Sequence, residues 1–218
     1  ALNDQTLTIV NSTISGNSAD ADGGGLHTSN DAIARLANVT VSDNTADADL
    51  TDGTLAMGGG FYTSGSSQIQ AKNSIVAENH DLKAEVFEIV VSDCYGDFVS
   101  NGYNLIGNAG AFCDLSGDMA GMQYGSAGYT LDPQLGPLTL YADNRSYYHP
   151  VLFGPVVDSG NPAGCRDYNN ALLSSDQLQE NPRPYAGGSA VGYTPRCDLG
   201  AIESFKIRWE LFLPLLVK

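Results

Sequence analysis

The sequence predicts an all-β fold of stacked parallel strands, and three observations carry that prediction. A polar, glycine-rich phrase is written twice, as "NSTISGNSADADGGGLHTS" from Asn11 to Ser29 and as "NVTVSDNTADADLTDGTLAMGGGFYTS" from Asn38 to Ser64, and a shorter third copy, "NSIVAENH", begins at Asn73. Apolar residues alternate with period two ahead of each copy, at Leu7 and Ile9, at Ala34 and Leu36, and at Ile69 and Ala71, as strands require. Helical periodicity never extends beyond about two turns, while glycine is abundant, at 25 of 218 residues.

Aligned on their asparagines, the copies place Asn11, Asn38 and Asn73 at one position, Asn17, Asn44 and Asn79 at a second, and Ile14, Val41 and Val76 at a third. The copies begin 27 and then 35 residues apart, the difference being an eight-residue insertion within Leu50 to Met57. A period that tolerates insertion at one place, while the strands on both sides stay aligned, is the signature of a solenoid: no repeat can bury its apolar face alone, so the coils stack. Stacking brings equivalent residues about 4.8 Å apart. Both asparagine sets are therefore expected to form inward amide ladders, each side chain donating to one neighbour and accepting from the other. Gly23 to Gly25 and Gly58 to Gly60 are expected as tight corners at positive φ, with Leu26 and Phe61 opening the next inward strand. The alternative is that Asn and Gly are only turn formers of a β-sandwich, but sandwich strands do not repeat with paired asparagine positions.

The totals bound the function. An apolar content of 42% supplies a core for one sizeable domain. Twenty-five acids against ten bases give a net charge of −15, which argues against nucleic acid and anionic membrane surfaces as partners, since both need a basic footprint. Cys94, Cys113, Cys165 and Cys197 include no Cys-x-x-Cys, so zinc is disfavoured and disulfides in an oxidising, extracellular setting are expected. Cys94 with Cys113 and Cys165 with Cys197 are the preferred pairs, each closing a local loop, although four cysteines allow three connectivities. Asn-x-Ser/Thr triplets at Asn11, Asn38 and Asn144 are candidate glycosylation sites. No signal peptide and no membrane-spanning run is visible; a secreted chain would have lost its leader.

At this point a resemblance enters. "LTIVNSTISGNSA…GGGLHTS" resembles the right-handed parallel β-helix repeats of bacterial surface proteins, including polymorphic outer-membrane-protein repeats and pectate-lyase-like folds. "DCYGDFVSNGYNLIGN" (Asp93 to Asn108), "DPQLGPL" (Asp132 to Leu138), "YHPVL" (Tyr148 to Leu152), "VVDSGNPAGC" (Val156 to Cys165), "NPRP" (Asn181 to Pro184) and "CDLGAIE" (Cys197 to Glu203) resemble, in this order, the C-terminal region of choice-of-anchor Q domain proteins. The resemblance implies an all-β, right-handed parallel β-helix with a loop-rich, disulfide-bonded C-terminal region, at the bacterial cell surface. Where such relatives often carry Asp-Gln-Arg-Gly-x-Pro-Arg, this chain has "DQLQENPRP".

The expected organisation is β-helix coils over residues 1–92, an irregular continuation and cap over 93–204, and an apolar C-terminal strand over 205–218. In the cap, Asp198 and Glu203 with Arg183 are expected as a structural ion pair rather than an acid pair for catalysis. The last segment, "IRWELFLPLLVK", is too short to span a bilayer, which needs about 20 residues. Its Trp209, Leu211, Leu213, Leu215 and Val217 form an alternating face that must be buried, on this chain or on a neighbour by strand addition. At the other end the sequence opens directly in a coil, "LTIVNST", so either further coils or another molecule is expected to cover it.

A search for chemistry returns no catalytic constellation. Asp20, Asp22, Asp47 and Asp49, with Asp52 nearby, lie in repeat loops where stacking would place Asp20 near Asp47 and Asp22 near Asp49; the pairs could hold Ca²⁺ or simply form a solvated acidic face. His27, aligned with Tyr62, is expected on a strand surface, and His149 at a turn. No cofactor is expected to be required. The function expected is a secreted, non-enzymatic structural or adhesive protein that self-associates end to end into a fibre, its partners further copies or a longer precursor, and glycans. Two alternatives stand beside it: a polysaccharide lyase or hydrolase on the same scaffold, and a calcium- or glycan-binding module of a larger precursor.

Overall fold

Parallel pairing in the computed structural model follows the sequence repeat residue by residue. The structure describes residues 5–46, 56–83, 88–141, 145–151, 153–179, 183 and 196–204. Among them the chain forms strands and no helix: β1 (Thr6–Ser15), β2 (Leu26–Thr28), β3 (Ile33–Ser42), β4 (Thr45–Ala46), β5 (Phe61–Thr63), β6 (Gln68–Lys72), β7 (Ile75–Val76), β8 (His80–Lys83), β9 (Glu88–Val91), β10 (Cys94–Asn101), β11 (Leu105–Ile106), β12 (Cys113–Asp118), β13 (Gln123–Tyr124), β14 (Leu135–Leu140) and β15 (Ser146–Pro150). Ten strands join in one parallel sheet, bounded by β1 and β2 on one side and by β12 and β13 on the other. A smaller sheet holds β4, β8 and β9, and β14 with β15 makes an antiparallel hairpin.

Equivalent residues form columns across this sheet. Leu7, Ala34, Ile69, Phe98 and Leu115 lie opposite one another in turn, as do Ile14, Val41, Val76, Ile106 and Tyr124. Leu26, Phe61 and Cys94 make a third column. Parallel pairing runs on past residue 93, and the chain length per layer contracts there, with Leu115 already opposite Phe98. Layer spacing is set by the inter-strand hydrogen bonds, so a layer without an outward loop simply uses fewer residues.

The columns bury the core. Leu36, Val41, Phe61, Ile69, Val76, Phe98 and Ile106 form one closed apolar cluster, with Phe61 and Phe98 stacked at 5.7 Å. Burying each such side chain is worth about 1.5–3 kcal/mol. The neighbouring residues Ile75 and Leu105 turn to the opposite face and pack against Val156 and Leu199 from the C-terminal segment. Alternation along the strands thus feeds two apolar layers from one sheet.

The two asparagine sets do different jobs. Asn17 Nδ2 donates to Asn44 Oδ1 at 2.8 Å, and Asn44 Nδ2 donates to Asn79 Oδ1 at 2.9 Å. Asn11, Asn38 and Asn73 make no such ladder, which corrects that half of the expectation. Their φ angles are 45°, 56° and 47°, in the left-handed region, and β1 and β3 bend there while the pairing resumes on either side. Asparagine tolerates this conformation better than most residues. Asn11 Nδ2 instead donates to Ser175 O at 2.8 Å, and Asn73 Oδ1 accepts Asn161 N–H at 2.9 Å. Asn38, fully buried between them, has neither amide atom hydrogen-bonded. A separate polar line follows the bend: Ser74 Oγ accepts Val39 N–H, and Asn104 Oδ1 accepts Ser74 N–H.

The glycine triplets are corners for two reasons rather than one. Only Gly23 and Gly58 take positive φ, at 77° and 74°. The glycines after them are needed for space: a Cβ on Gly24 would lie 2.5 Å from the Thr45 carbonyl, and one on Gly25 would lie 2.6 Å from Gly60 O. Only glycine lets successive corners stack at that separation.

Two disulfides, Cys94–Cys113 and Cys165–Cys197, follow the sequential pairing. They form in an oxidising environment, and their sequence separations of 19 and 32 residues correspond to about 3–4 kcal/mol each through loop closure. The second one anchors a segment that docks on the bend of the sheet, where Gly200 N–H donates to Asn73 O at 2.8 Å and Ala201 N–H to Thr40 Oγ1 at 3.0 Å.

The contrast between the asparagine sets is testable by urea unfolding. Asn44→Ala strips partners from Asn17, Ile14 O and Ser42 O, and should cost about 2–4 kcal/mol. Asn38→Gly removes two unpaired buried atoms and relieves a positive φ; its midpoint should equal or exceed that of the unmodified chain. Equal losses in both variants would contradict the division.

Candidate functional site

The ladder supplies the geometry from which a cleft is built. Asn79 Nδ2 and Asn79 N–H both donate to Asp93 Oδ1 at 2.9 Å, and Asp93 Oδ2 accepts Asn108 N–H at 2.6 Å. The amide line therefore ends on a fully buried carboxylate. Burial pushes the Asp93 pKa up to about 7, against the three hydrogen bonds that favour the charged form, and the nearby Glu78 charge adds to the rise.

The residues just before the ladder asparagines are Gly16, Asp43 and Glu78. All three adopt positive φ, at 67°, 56° and 62°, and they are joined layer to layer, Gly16 N–H to Asp43 O and Asp43 N–H to Glu78 O. Asp43 and Glu78 thus sit on adjacent layers. The hairpin closes over them: Tyr148 OH donates to Asp43 Oδ2 at 2.6 Å and accepts from Ser15 Oγ at 2.6 Å. Ser42 Oγ donates to Glu78 Oε2 at 3.3 Å.

The result is an open cleft of about 570 Å³ lined by Asp43, Glu78, His80, Asp132 and Tyr148, with Leu131, Leu135, Pro137 and Leu138 as its apolar wall. Burial, followed by the charges of Asp43 and Asp132, raises the Glu78 pKa. Burial and the bond to Asp43 push the Tyr148 hydroxyl up to about 12. Glu78 is thereby biased to keep a proton beside a carboxylate that accepts a hydroxyl, the kind of asymmetry that acid–base chemistry on sugars uses. Among the described residues, no group of three or more His, Cys, Asp or Glu converges closely enough to hold a metal ion.

The acids singled out in the repeat loops lie elsewhere. Asp20 is exposed. Asp22 Oδ1 accepts Met57 N–H at 2.9 Å, and its carboxylate is also bonded by the Tyr62 hydroxyl. The backbone opposite Asp22 is therefore Met57. Asp47, Asp49 and Asp52 lie outside the described residues, as do Asn144 and Trp209, Leu211, Leu213, Leu215 and Val217. Asn38 is 0% exposed, and the Asn11 Nδ2 that a glycan would need is bonded to Ser175 O. Burial closes the Asn38 side chain in the folded chain, while Asn11 is half-buried.

His27 does sit on a strand surface, tilted against Tyr62 at 5.1 Å, and the line continues with stacked rings through Tyr95 at 4.9 Å to Phe112 at 5.7 Å. His149 belongs to β15 rather than to a turn, edge-on to Tyr147 at 4.9 Å. In the C-terminal segment Arg183 Nη1 and Glu203 Oε2 form a buried pair at 3.1 Å, with Arg183 Nη2 on Gly200 O. Asp198 Oδ1 accepts Asp158 N–H at 2.7 Å and Asp198 Oδ2 accepts Ser204 N–H at 2.6 Å. Burial pushes Glu203 and Asp198 up and Arg183 down; these groups hold a docked segment in place.

Asp43 and Glu78 escaped the sequence search although the repeat alignment marks them, as the residue preceding each ladder asparagine. Asp132 and Tyr148 lay in motifs already noted, but their convergence needed the hairpin. No family model, no curated protein and no solved structure matches the chain.

The raised Asp93 pKa has a consequence for stability. Its ordinary value of 3.8 moves to about 7, so between these limits the folded state binds a proton that the unfolded state has released. Stability is then full below about pH 4 and falls as pH rises towards 7, by about 1.4 kcal/mol per pH unit at most. Asp93→Asn should flatten this slope in urea titrations across that range. A slope that survives the substitution would assign it to other carboxyls.

Proposed function

We propose that this chain is a secreted structural or adhesive element of the bacterial cell surface, folded as a right-handed parallel β-helix and able to associate end to end. The observation that carries this reading is the run of unbroken columns through successive layers, with an outer strand at each end, β1 and β12, paired on one side only among the described residues. Such a stack can be extended without any change in its internal geometry. The ladder, the stacked glycine corners and two crosslinks favour a rigid, protease-resistant rod. The apolar segment at residues 209–218 remains part of the proposal as a second contact between copies.

A second reading has a specific observation behind it: the cleft in which Glu78 faces Asp43 and Asp132 favours a hydrolase acting on polysaccharide. The two readings separate in one experiment. The protein is incubated with neutral and acidic polysaccharides, with and without calcium, and new reducing ends and unsaturated products are measured. The structural reading expects product at the level of the protein-free control, and filaments or rods by negative-stain microscopy. Turnover that disappears in Glu78→Gln would replace it with the hydrolase reading.

A further inference from the structure

The sequence contains a single Asp–Pro bond, Asp132–Pro133, and the fold sets it at the rim of the acidic cleft. Asp132 lines that cleft with Asp43, Glu78, His80 and Tyr148, and its charge acts on Glu78. Asp132 is exposed to solvent, whereas Pro133 is buried. The Asp132 side chain is held in place, with Oδ1 accepting Gln134 N–H at 2.6 Å. A carboxylate bonded to the backbone two residues on folds over its own C-terminal peptide, which here is the one joining Asp132 to Pro133. Gln134 takes a φ of 54°, a left-handed conformation that is costly for a residue with a Cβ. It is fixed there because Gln134 O accepts Val151 N–H at 2.8 Å, from the residue that follows β15. Strain of this kind persists only where the surroundings over-determine the backbone.

We propose that the Asp132–Pro133 bond is a self-cleavage site, with the Asp132 carboxylate as nucleophile and Glu78 as proton donor. Proline contributes a tertiary amide, whose nitrogen accepts a proton and departs more readily than that of an ordinary peptide bond. One Asp132 carboxylate oxygen attacks the carbonyl carbon of Asp132 and closes a cyclic anhydride. The C–N bond to Pro133 breaks, and its electron pair takes the proton from Glu78. Water then opens the anhydride to two carboxyl groups on Asp132, returning one proton to Glu78 and leaving the other on the new proline amine. The groups around Glu78 suit it to this role. Burial, followed by the charges of Asp43 and Asp132, favours its protonated form. Tyr148 OH donates to Asp43 and Ser42 Oγ to Glu78, while His80 lines the same cleft and Asp93 lies close behind. The reaction uses no polysaccharide, so its test is independent of both readings above.

Cys94–Cys113 lies wholly before the bond and Cys165–Cys197 wholly after it, so scission leaves two pieces joined by no disulfide. The full chain is incubated at about pH 5, folded and in urea, and run on denaturing gels without reductant. Folded protein should give two fragments, the C-terminal one beginning at Pro133 by N-terminal sequencing. It should do so at least about tenfold faster than the chain in urea, where only the ordinary acid lability of an Asp–Pro bond remains. Asp132→Ala should abolish the cut and Glu78→Gln should slow it about tenfold or more, with circular dichroism establishing that both variants fold. Equal rates in the folded and urea-unfolded chain would overturn self-cleavage, and that comparison needs no variant. A cut that proceeds unchanged in Glu78→Gln, or no fragment at all from the folded chain, would overturn it as well.

Discussion

The hydrogen-bonded line from Asn17 through Asn44 and Asn79 to Asp93 is the constraint on which the rest of the structure depends. At each layer the backbone N–H and the side-chain amide of one asparagine converge on a single oxygen of the next. Such a line has a direction, and a direction needs an end that only accepts. Asp93 supplies it: Oδ1 accepts both donors of Asn79, and Oδ2 accepts Asn108 N–H. Polar groups buried at this depth cost several kcal/mol when unpaired, so the line holds the layers in one register. A slip by one residue would break it at every level and turn each apolar column inside out.

That register also decides where the acids go. The backbone turns through positive φ immediately before each ladder asparagine. The residue there is glycine in the first layer and a carboxylic acid in the next two, so Asp43 and Glu78 lie one above the other. Repulsion between them is moderated by hydroxyls from Tyr148 and Ser42. The hairpin that brings Tyr148 is held to the sheet through the same hydroxyl, so the cleft and the packing of β14 and β15 share one contact.

The C-terminal segment turns the bends of the sheet into buried structure. It supplies Ser175 O to Asn11 and Asn161 N–H to Asn73, and its Val156 and Leu199 cover Ile75 and Leu105. Arg183 and Glu203 are paired inside it rather than at its surface. A buried pair of this kind contributes little net stability against its desolvation but is costly to break. It therefore favours one docked arrangement, which the Cys165–Cys197 crosslink reinforces.

Sequence alone determined the all-β class, the layer register and the preferred cysteine pairs, because each is a local or periodic property. Period-two alternation assigns the strands, and repeated spacing assigns which residues stack; Leu7, Ala34 and Ile69 stand opposite one another as the alignment requires. Tertiary structure alone decided what identical letters do. Asn38 and Asn44 look alike in the repeat, yet one sits at a left-handed bend without a partner and the other carries the ladder, because backbone torsion rather than spacing sets where an amide points. Asp93 could not be recognised as the end of the line, since it lies outside the repeat and joins it only when β10 is in place. The meeting of Glu78 with Tyr148 and Asp132 was equally hidden: it depends on a hairpin folding back across the sheet, and long-range docking leaves no period in the sequence.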